Sequence, residues 1–303
     1  MRRGIAIWTL GWAFAWMAHA QVEMAWSLAN SRTVLMEPVK AVVRISNYTG
    51  EALDLSPSGN ARLEFDVEDR PTSFVKKTGR PLVRFPIIIP PNETRDVEVD
   101  LLDAYEITHG QSYMLTPMME FDGMRFFGKR LALEVQPGLE LFRRDYGVKS
   151  SGDSRCVTLR LIHRGRRDHL FFRMDNSARG SCLGVYDLGR VIRYLPPSVE
   201  QDASGRFHVF HQTGPDRFVH SRFDYNGRPA GVTFYVGGIG SIRMVRSEEG
   251  DVQVVGGNAY EEDPDHPGMF VAPALAPSHP YNVNLGELPP KGRNTDPRGK
   301  RKK

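Results

Sequence analysis

Alternation at period two, broken at regular intervals by turn chemistry, is the feature that most constrains this chain. In Val39–Ser46, Val39, Ala41, Val43 and Ile45 fall on one face, and Lys40, Arg44 and Ser46 on the other. Leu63, Phe65 and Val67 alternate with Glu64 and Asp66; Val97, Val99 and Leu101 with Glu98 and Asp100; Leu131, Leu133 and Val135 with Ala132 and Glu134. Successive strand side chains point to opposite faces, so one apolar and one polar face predict half-buried antiparallel strands. Asn47-Tyr48-Thr49-Gly50, Ser56-Pro57-Ser58-Gly59-Asn60, Pro90-Pro91-Asn92 and Asp122-Gly123 supply the turns. About seven strands over roughly 110 residues predict a β-sandwich across residues 22–137.

The pattern stays β beyond that point, so the expected class is all-β, with a second β-rich domain over residues 150–262. The stretch Gln136–Arg155 reads as a junction. Strands are expected at Cys156–His163, His169–Met174, Leu183–Tyr186, Val191–Leu195, Phe207–His211, Phe218–Asp224, Gly231–Val236, Ser241–Arg246 and Val252–Val255, with no long amphipathic helix. Gly165, Gly205 and Gly250 each follow a polar turn and precede an apolar strand. Their spacing of about 40–45 is that of a four-stranded propeller blade.

Two resemblances rest on particular residues. Glu37-Pro38-Val39 followed by Ser46-Asn47, then Pro90-Pro91-Asn92-Glu93-Thr94, Asp100-Leu101-Leu102, Tyr105-Glu106-Ile107, Gly110 and Tyr113, resembles immunoglobulin-like domains of exported bacterial proteins. The resemblance implies a tyrosine corner at Tyr113, its hydroxyl bonded to upstream backbone. Similar domains precede some secreted metallopeptidases, but no H-E-x-x-H is present. Asp202-Ala203-Ser204-Gly205-Arg206-Phe207-His208-Val209 resembles the turn and strand of blades in sialidase-like propellers. No strict aspartate box is present, and two to two and a half units fit where closed propellers use about four to eight blades. Either open blades associate, or the strands form a compact sandwich.

The ends differ from the body. Arg2 and Arg3, the apolar run to Met17 and Ala18-His19-Ala20 have the three parts of a secretory signal peptide over residues 1–20. The expectation is an exported protein in the periplasm, at the cell surface or secreted, with no transmembrane segment after cleavage. Residues 263–303 read as an extended proline-rich segment with a disordered basic tail. Lys291–Lys303 holds seven basic groups and one acid; subtracting that +6 and the +2 of Arg2 and Arg3 from +4 leaves −4 for residues 21–290. Nucleic-acid affinity of the whole chain is thereby excluded, and specific nucleic-acid recognition is not expected. Arg298, Lys300, Arg301, Lys302 and Lys303 are the candidate anion-binding residues, toward a membrane surface, an acidic polysaccharide or extracellular nucleic acid.

His208 and His220 are the candidate metal ligands. A hairpin centred near Gly214-Pro215 would set them opposite one another about 5 Å apart, with Phe210 opposite Phe218. Asp224 or Asp202 would supply a third ligand. The alternative is that both histidines are polar members of a blade-like strand stacked on aromatics. Cys156 and Cys182 form a disulfide in an exported protein, or are two buried thiols; in a simple meander they flank a middle strand about 10 Å apart, too far to bridge. Asp263, Asp265 and His266 make an acidic loop that calcium or solvent would occupy. Gly237–Ser241 lacks the lysine of a phosphate loop and reads as a turn. No G-x-S-x-G elbow occurs, and no cofactor is expected. Asn47-Tyr48-Thr49 and Asn92-Glu93-Thr94 have glycan-acceptor spacing.

The resulting expectation is an exported, non-enzymatic binding or adhesion protein: a spacer sandwich plus a β domain that binds polysaccharide or a cell-surface protein. The alternatives are an extracellular hydrolase centred on His208 and His220, and a structural subunit of a surface assembly.

Overall fold

The computed structural model describes residues 22–70, 73–148, 152–262 and 270–271. The expected leader, the acidic loop at Asp263, Asp265 and His266, and the basic tail at Arg298 and Lys300–Lys303 lie outside them. The chain divides into two units, Met1–Pro137 and Gly138–Lys303. It is all-β; a single helical turn, α1 (Leu101–Ala104), interrupts the strands described here.

The first unit contains β1 (Val22–Leu28), β2 (Arg32–Val34), β3 (Lys40–Asn47), β4 (Leu53–Asp54), β5 (Ala61–Arg70), β6 (Ser73–Phe74), β7 (Ile88–Ile89), β8 (Thr94–Asp100), β9 (Ser112–Phe121), β10 (Met124–Phe127) and β11 (Leu131–Gln136). One large sheet runs β1-β3-β8 and the other β2-β11-β9-β5-β6, with β10 on β9, while β4 and β7 pair as a short two-stranded sheet. The alternation read from the sequence sets which side chains meet between them. Val43, Ile45 and Val97 from the first sheet share a core with Phe65, Tyr113, Leu115 and Leu133 from the second. Trp26 meets Phe65 edge to face, ring centres 5.1 Å apart. Each large side chain so buried contributes about 1.5–3 kcal/mol. The Tyr113 hydroxyl donates to the His109 carbonyl at 2.9 Å, tying β9 to the backbone just upstream.

Asn47 closes β3. Its amide donates to the carbonyls of Glu51 and Ile89, both at 2.8 Å, and its oxygen accepts from the Thr49 N–H and hydroxyl. This buried amide is spent within the fold, so Asn47 is not a glycan acceptor while the unit is folded.

The second unit contains β12 (Leu139–Gly147), β13 (Ser154–Arg164), β14 (Arg167–Asn176), β15 (Ser181–Arg190), β16 (Ser198–Gln201), β17 (Phe207–Gly214), β18 (Arg217–Phe223), β19 (Pro229–Val236), β20 (Arg243–Arg246), β21 (Val252–Val255), β22 (Asn258–Glu262) and β23 (Phe270–Val271). A four-stranded meander, β12-β13-β14-β15, is followed by β16-β17-β18-β19-β22-β23 and by the hairpin β20-β21. β17 and β18 are covered on both faces. Toward the meander, Phe207, Val209 and Phe223 pack on Val157, Leu159, Phe172 and Met174. Phe172 and Phe223 stack at 3.9 Å and 7°. Toward β20-β21, Phe210 and Phe218 pack on Ile242. Sheets stacked face to face in this way have the character of propeller blades.

Three expectations are corrected here. The supposed junction contains β12, whose mixed charges and bulge between Glu140 and Phe142 hide its alternation. Val191–Leu195 is not a strand: the Val191 N–H donates to Asp168 and that of Ile192 to Gln212, and the chain bends over residues 193–195. The turn repeat has a different period. Asp202–Arg206, Asp224–Arg228 and Ser247–Asp251 share one turn, in which the first residue's N–H donates to the fifth residue's carbonyl. In each, the first side chain accepts from the fifth N–H and the glycine has φ of +79° to +88°. These turns recur about every 22 residues; Gly227 joins Gly205 and Gly250, while Gly165 lies in a tighter hairpin between Arg164 and Arg167.

Candidate functional site: a buried Asp–His–His line

The site begins with the turn that feeds β17. A positive φ at Gly205 lets the chain reverse so that Asp202 faces back onto it. Asp202 Oδ1 accepts from the Arg206 N–H at 2.9 Å and the Ser204 hydroxyl at 2.6 Å. Oδ2 faces His208 Nε2 at 3.1 Å and Arg206 Nε at 3.2 Å. Burial pushes this carboxyl up, but the bonds from Ser204, His208 and the Arg206 N–H outweigh it and bring its pKa down to about 2.

The two histidines meet, though not in the expected register. Phe210 faces His220, His208 faces Arg222 and Gln212 faces Phe218, so the hairpin is centred one residue later than expected. The histidines are therefore diagonal neighbours on one face. Their rings still lie 5.1 Å apart at 23°, with His208 Nδ1 and His220 Nε2 at 2.9 Å. Burial, then repulsion by His208 and Arg222, lowers the His220 pKa to about 4.

Donor roles follow from the carboxylate, which can only accept. His208 Nε2 carries the proton that faces Asp202. In the neutral line, His208 Nδ1 is then an acceptor, and His220 Nε2–H donates to it. Asp202 and His220 thus sit on opposite nitrogens of one ring and do not converge on a point. Among the described residues no group of three His, Cys, Asp or Glu could hold a metal ion. The two histidines expected as a metal pair face each other through His208 Nδ1 and His220 Nε2 in a hydrogen-bonded line. Asp224, the other suggested ligand, instead caps its own turn through the Asn226 and Arg228 N–H groups.

Relative exposures of 7% for Asp202, 5% for His208 and 4% for His220 enclose the line. A third histidine, His211, went unrecognised. It lies on the opposite face of β17, its buried ring turned toward the backbone of Leu188 and Arg190 but without full hydrogen-bond geometry at either ring nitrogen among the described residues. Burial lowers its pKa to about 4. The alternation of β17 separates it from His208, but nothing in the sequence marks its other face as covered.

Cys156 and Cys182 are free thiols, so the expected disulfide is corrected. They stand in one cross-strand row with Asp175 between them: Cys156 pairs Asp175 across β13-β14, and Asp175 pairs Cys182 across β14-β15. Two strand spacings, about 10 Å, exceed the reach of a disulfide. Burial raises both thiols, Cys182 to about 11. Among the described residues of the second unit, Tyr194 and Tyr225 are the aromatic rings most open to solvent, at 73% and 48%. No helix among the described residues is long and apolar enough to cross a membrane.

No family model matches the sequence, and no curated protein matches it. Among solved structures, the chain is similar to the K499G mutant of NanB sialidase from Streptococcus pneumoniae, at 7% identity and a TM-score of 0.25, over 84% of this chain and 48% of that one. A second similar structure, NanB plus Optactamide, gives 8% identity and a TM-score of 0.27 over 80% and 49%. The chain spans about half the length of both. Overlap at this level fixes neither a shared arrangement nor shared chemistry.

Proposed function

We propose that the protein is an exported, non-enzymatic binding or adhesion protein, with an immunoglobulin-like spacer and a blade-like β domain that engages a polysaccharide or a cell-surface protein. The observation that carries this reading is the enclosure of the Asp202–His208–His220 line. Its titratable groups are bonded to one another and to their own turn, which suits a clasp between hairpins better than a centre that meets substrate. Tyr194 and Tyr225, by contrast, offer open ring faces to a ligand. For the first unit, support comes from two facing sheets, an N-terminal run divided between them as β1 and β2, and the Tyr113 hydroxyl on the His109 backbone.

The test is binding of the full chain to glycan and surface-protein arrays, with Tyr194→Ala and Tyr225→Ala as comparisons. Saturable binding that falls about tenfold in either variant is expected. Absence of saturable binding overturns the reading. Elemental analysis of protein purified without chelator is the companion measurement. Near-stoichiometric metal, lost in a His208→Ala His220→Ala variant, would put the hydrolase reading in its place.

A further inference from the structure

β5 carries an open edge on the first unit. It pairs with β9 from Ala61 to Glu68, and Phe65 stands opposite Pro117, which has no N–H to give. The Pro117 carbonyl accepts from Gly128, on its other side. Backbone groups of the odd-numbered β5 residues therefore point away from β9. Two of these residues are capped: Val67 accepts from the Val75 N–H at 2.8 Å, and the Phe65 N–H donates to the Tyr105 hydroxyl at 2.6 Å.

Beyond Phe65 the cover stops. After Val75 the chain turns aside to pair with residues 104–106, through Thr78 N–H to Ala104 and Glu106 N–H to Lys76. The outward N–H and carbonyl groups of Ala61 and Leu63 have no hydrogen-bond partner among the described residues, although these residues are only 3% and 4% exposed. Both line a groove of about 530 Å³ with Arg80, Pro81, Leu82 and Tyr105. Recessed backbone donors and acceptors at strand spacing call for another strand.

The groove also has a charge. Glu64 takes up Arg62 and Lys77, each at 2.6 Å, while the Arg80 guanidinium forms no ion pair with any described residue. Two positive charges are left over. The chain's own Lys291–Lys303 segment, at +6, would be repelled. A second copy pairing edge to edge would bring like charges together. We infer that the Ala61–Phe65 edge of β5 accepts an extended, acidic segment of another protein by strand addition, the backbone giving affinity and Arg80 the preference for carboxylates.

The probe is an acetylated seven-residue peptide alternating valine and glutamate, titrated against the full chain by fluorescence anisotropy. Saturable binding with slowed amide hydrogen exchange over residues 61–65 is expected. A valine–lysine peptide, or the acidic peptide N-methylated at alternate residues, should bind about tenfold more weakly. Arg80→Glu, on an exposed side chain, should weaken binding about tenfold with no change in melting. Ala61→Pro removes one edge donor and is tolerated on an edge strand, so it too should weaken binding. Equal binding of the acidic and lysine peptides, or exchange protection elsewhere, overturns the inference. So does a concentration-dependent dimer that Ala61→Pro abolishes, which would make a second copy the occupant.

Discussion

His211 and His220 are buried bases held neutral, and that sets how the second unit responds to acid. Both folded pKa values lie near 4, below the ordinary 6.5 of an unfolded histidine. Between those values the unfolded chain binds the extra protons, so stability rises with pH there. The contribution is fully present above about pH 6.5 and is lost as pH falls toward 4, with each histidine worth of the order of 2–3 kcal/mol. Asp202, near 2, adds its loss only below about pH 4. Hydrogen exchange of β17 and β18 at pH 7, 5.5 and 4.5 should show this slope. His211→Leu should flatten it and raise stability at pH 7 by about 1 kcal/mol, because an unpartnered imidazole is replaced by an apolar group. A loss of stability at pH 7 would show that His211 has a partner in solution. In the first unit, Asn47→Ala strips hydrogen bonds from the Glu51 and Ile89 carbonyls and should cost about 1–3 kcal/mol. Trp26, the one tryptophan after residue 20, reports that loss in urea unfolding.

The shared turn is the element that organises the second unit, and its glycines are not equivalent. A Cβ on Gly205 would meet only the Gln201 amide, at 3.9 Å; one on Gly227 would press on Met174 Sδ at 3.1 Å and Cβ at 3.3 Å. Gly205→Ala should therefore cost only its left-handed backbone, about 1–2 kcal/mol. Gly227→Ala should cost more, because Met174 is fixed in the core; equal urea midpoints for the two variants would contradict this. The half-buried strands of the first unit were legible because each writes its own alternation. β12 was not, since its faces mix charge and apolar groups around a bulge. The His208–His220 meeting was legible from chain separation and strand parity, but its register was not. Register depends on the bulge between Gln212 and Gly214, which two-residue periodicity does not encode. Asp202 entered the sequence reading as the first residue of the blade-like turn and as one of two possible metal ligands. Its actual role needed the turn geometry that aims it at His208.

At the scale of the whole molecule, each unit has a core of its own, and the cysteines show how topology overrides composition. An even pair of cysteines in an exported chain invites a bridge, yet a plain meander holds Cys156 and Cys182 on either side of β14. Thiol titration should count two thiols in denaturant without reductant, and slow labelling in the native state, because burial keeps both protonated. A count of zero would require rearranging β13, β14 and β15. The separate cores lead to a further expectation. Val43, Ile45, Phe65, Tyr113 and Leu115 all come from the first unit, and none of its core residues lies beyond Val135. A chain of residues 22–137 is above the size at which one hydrophobic core sustains a domain. It should unfold cooperatively in urea, with Trp26 fluorescence and far-ultraviolet circular dichroism changing together. A gradual or split transition would mean that the sandwich needs the rest of the chain to close its core. It would also remove the physical basis for treating the first unit as a self-standing spacer.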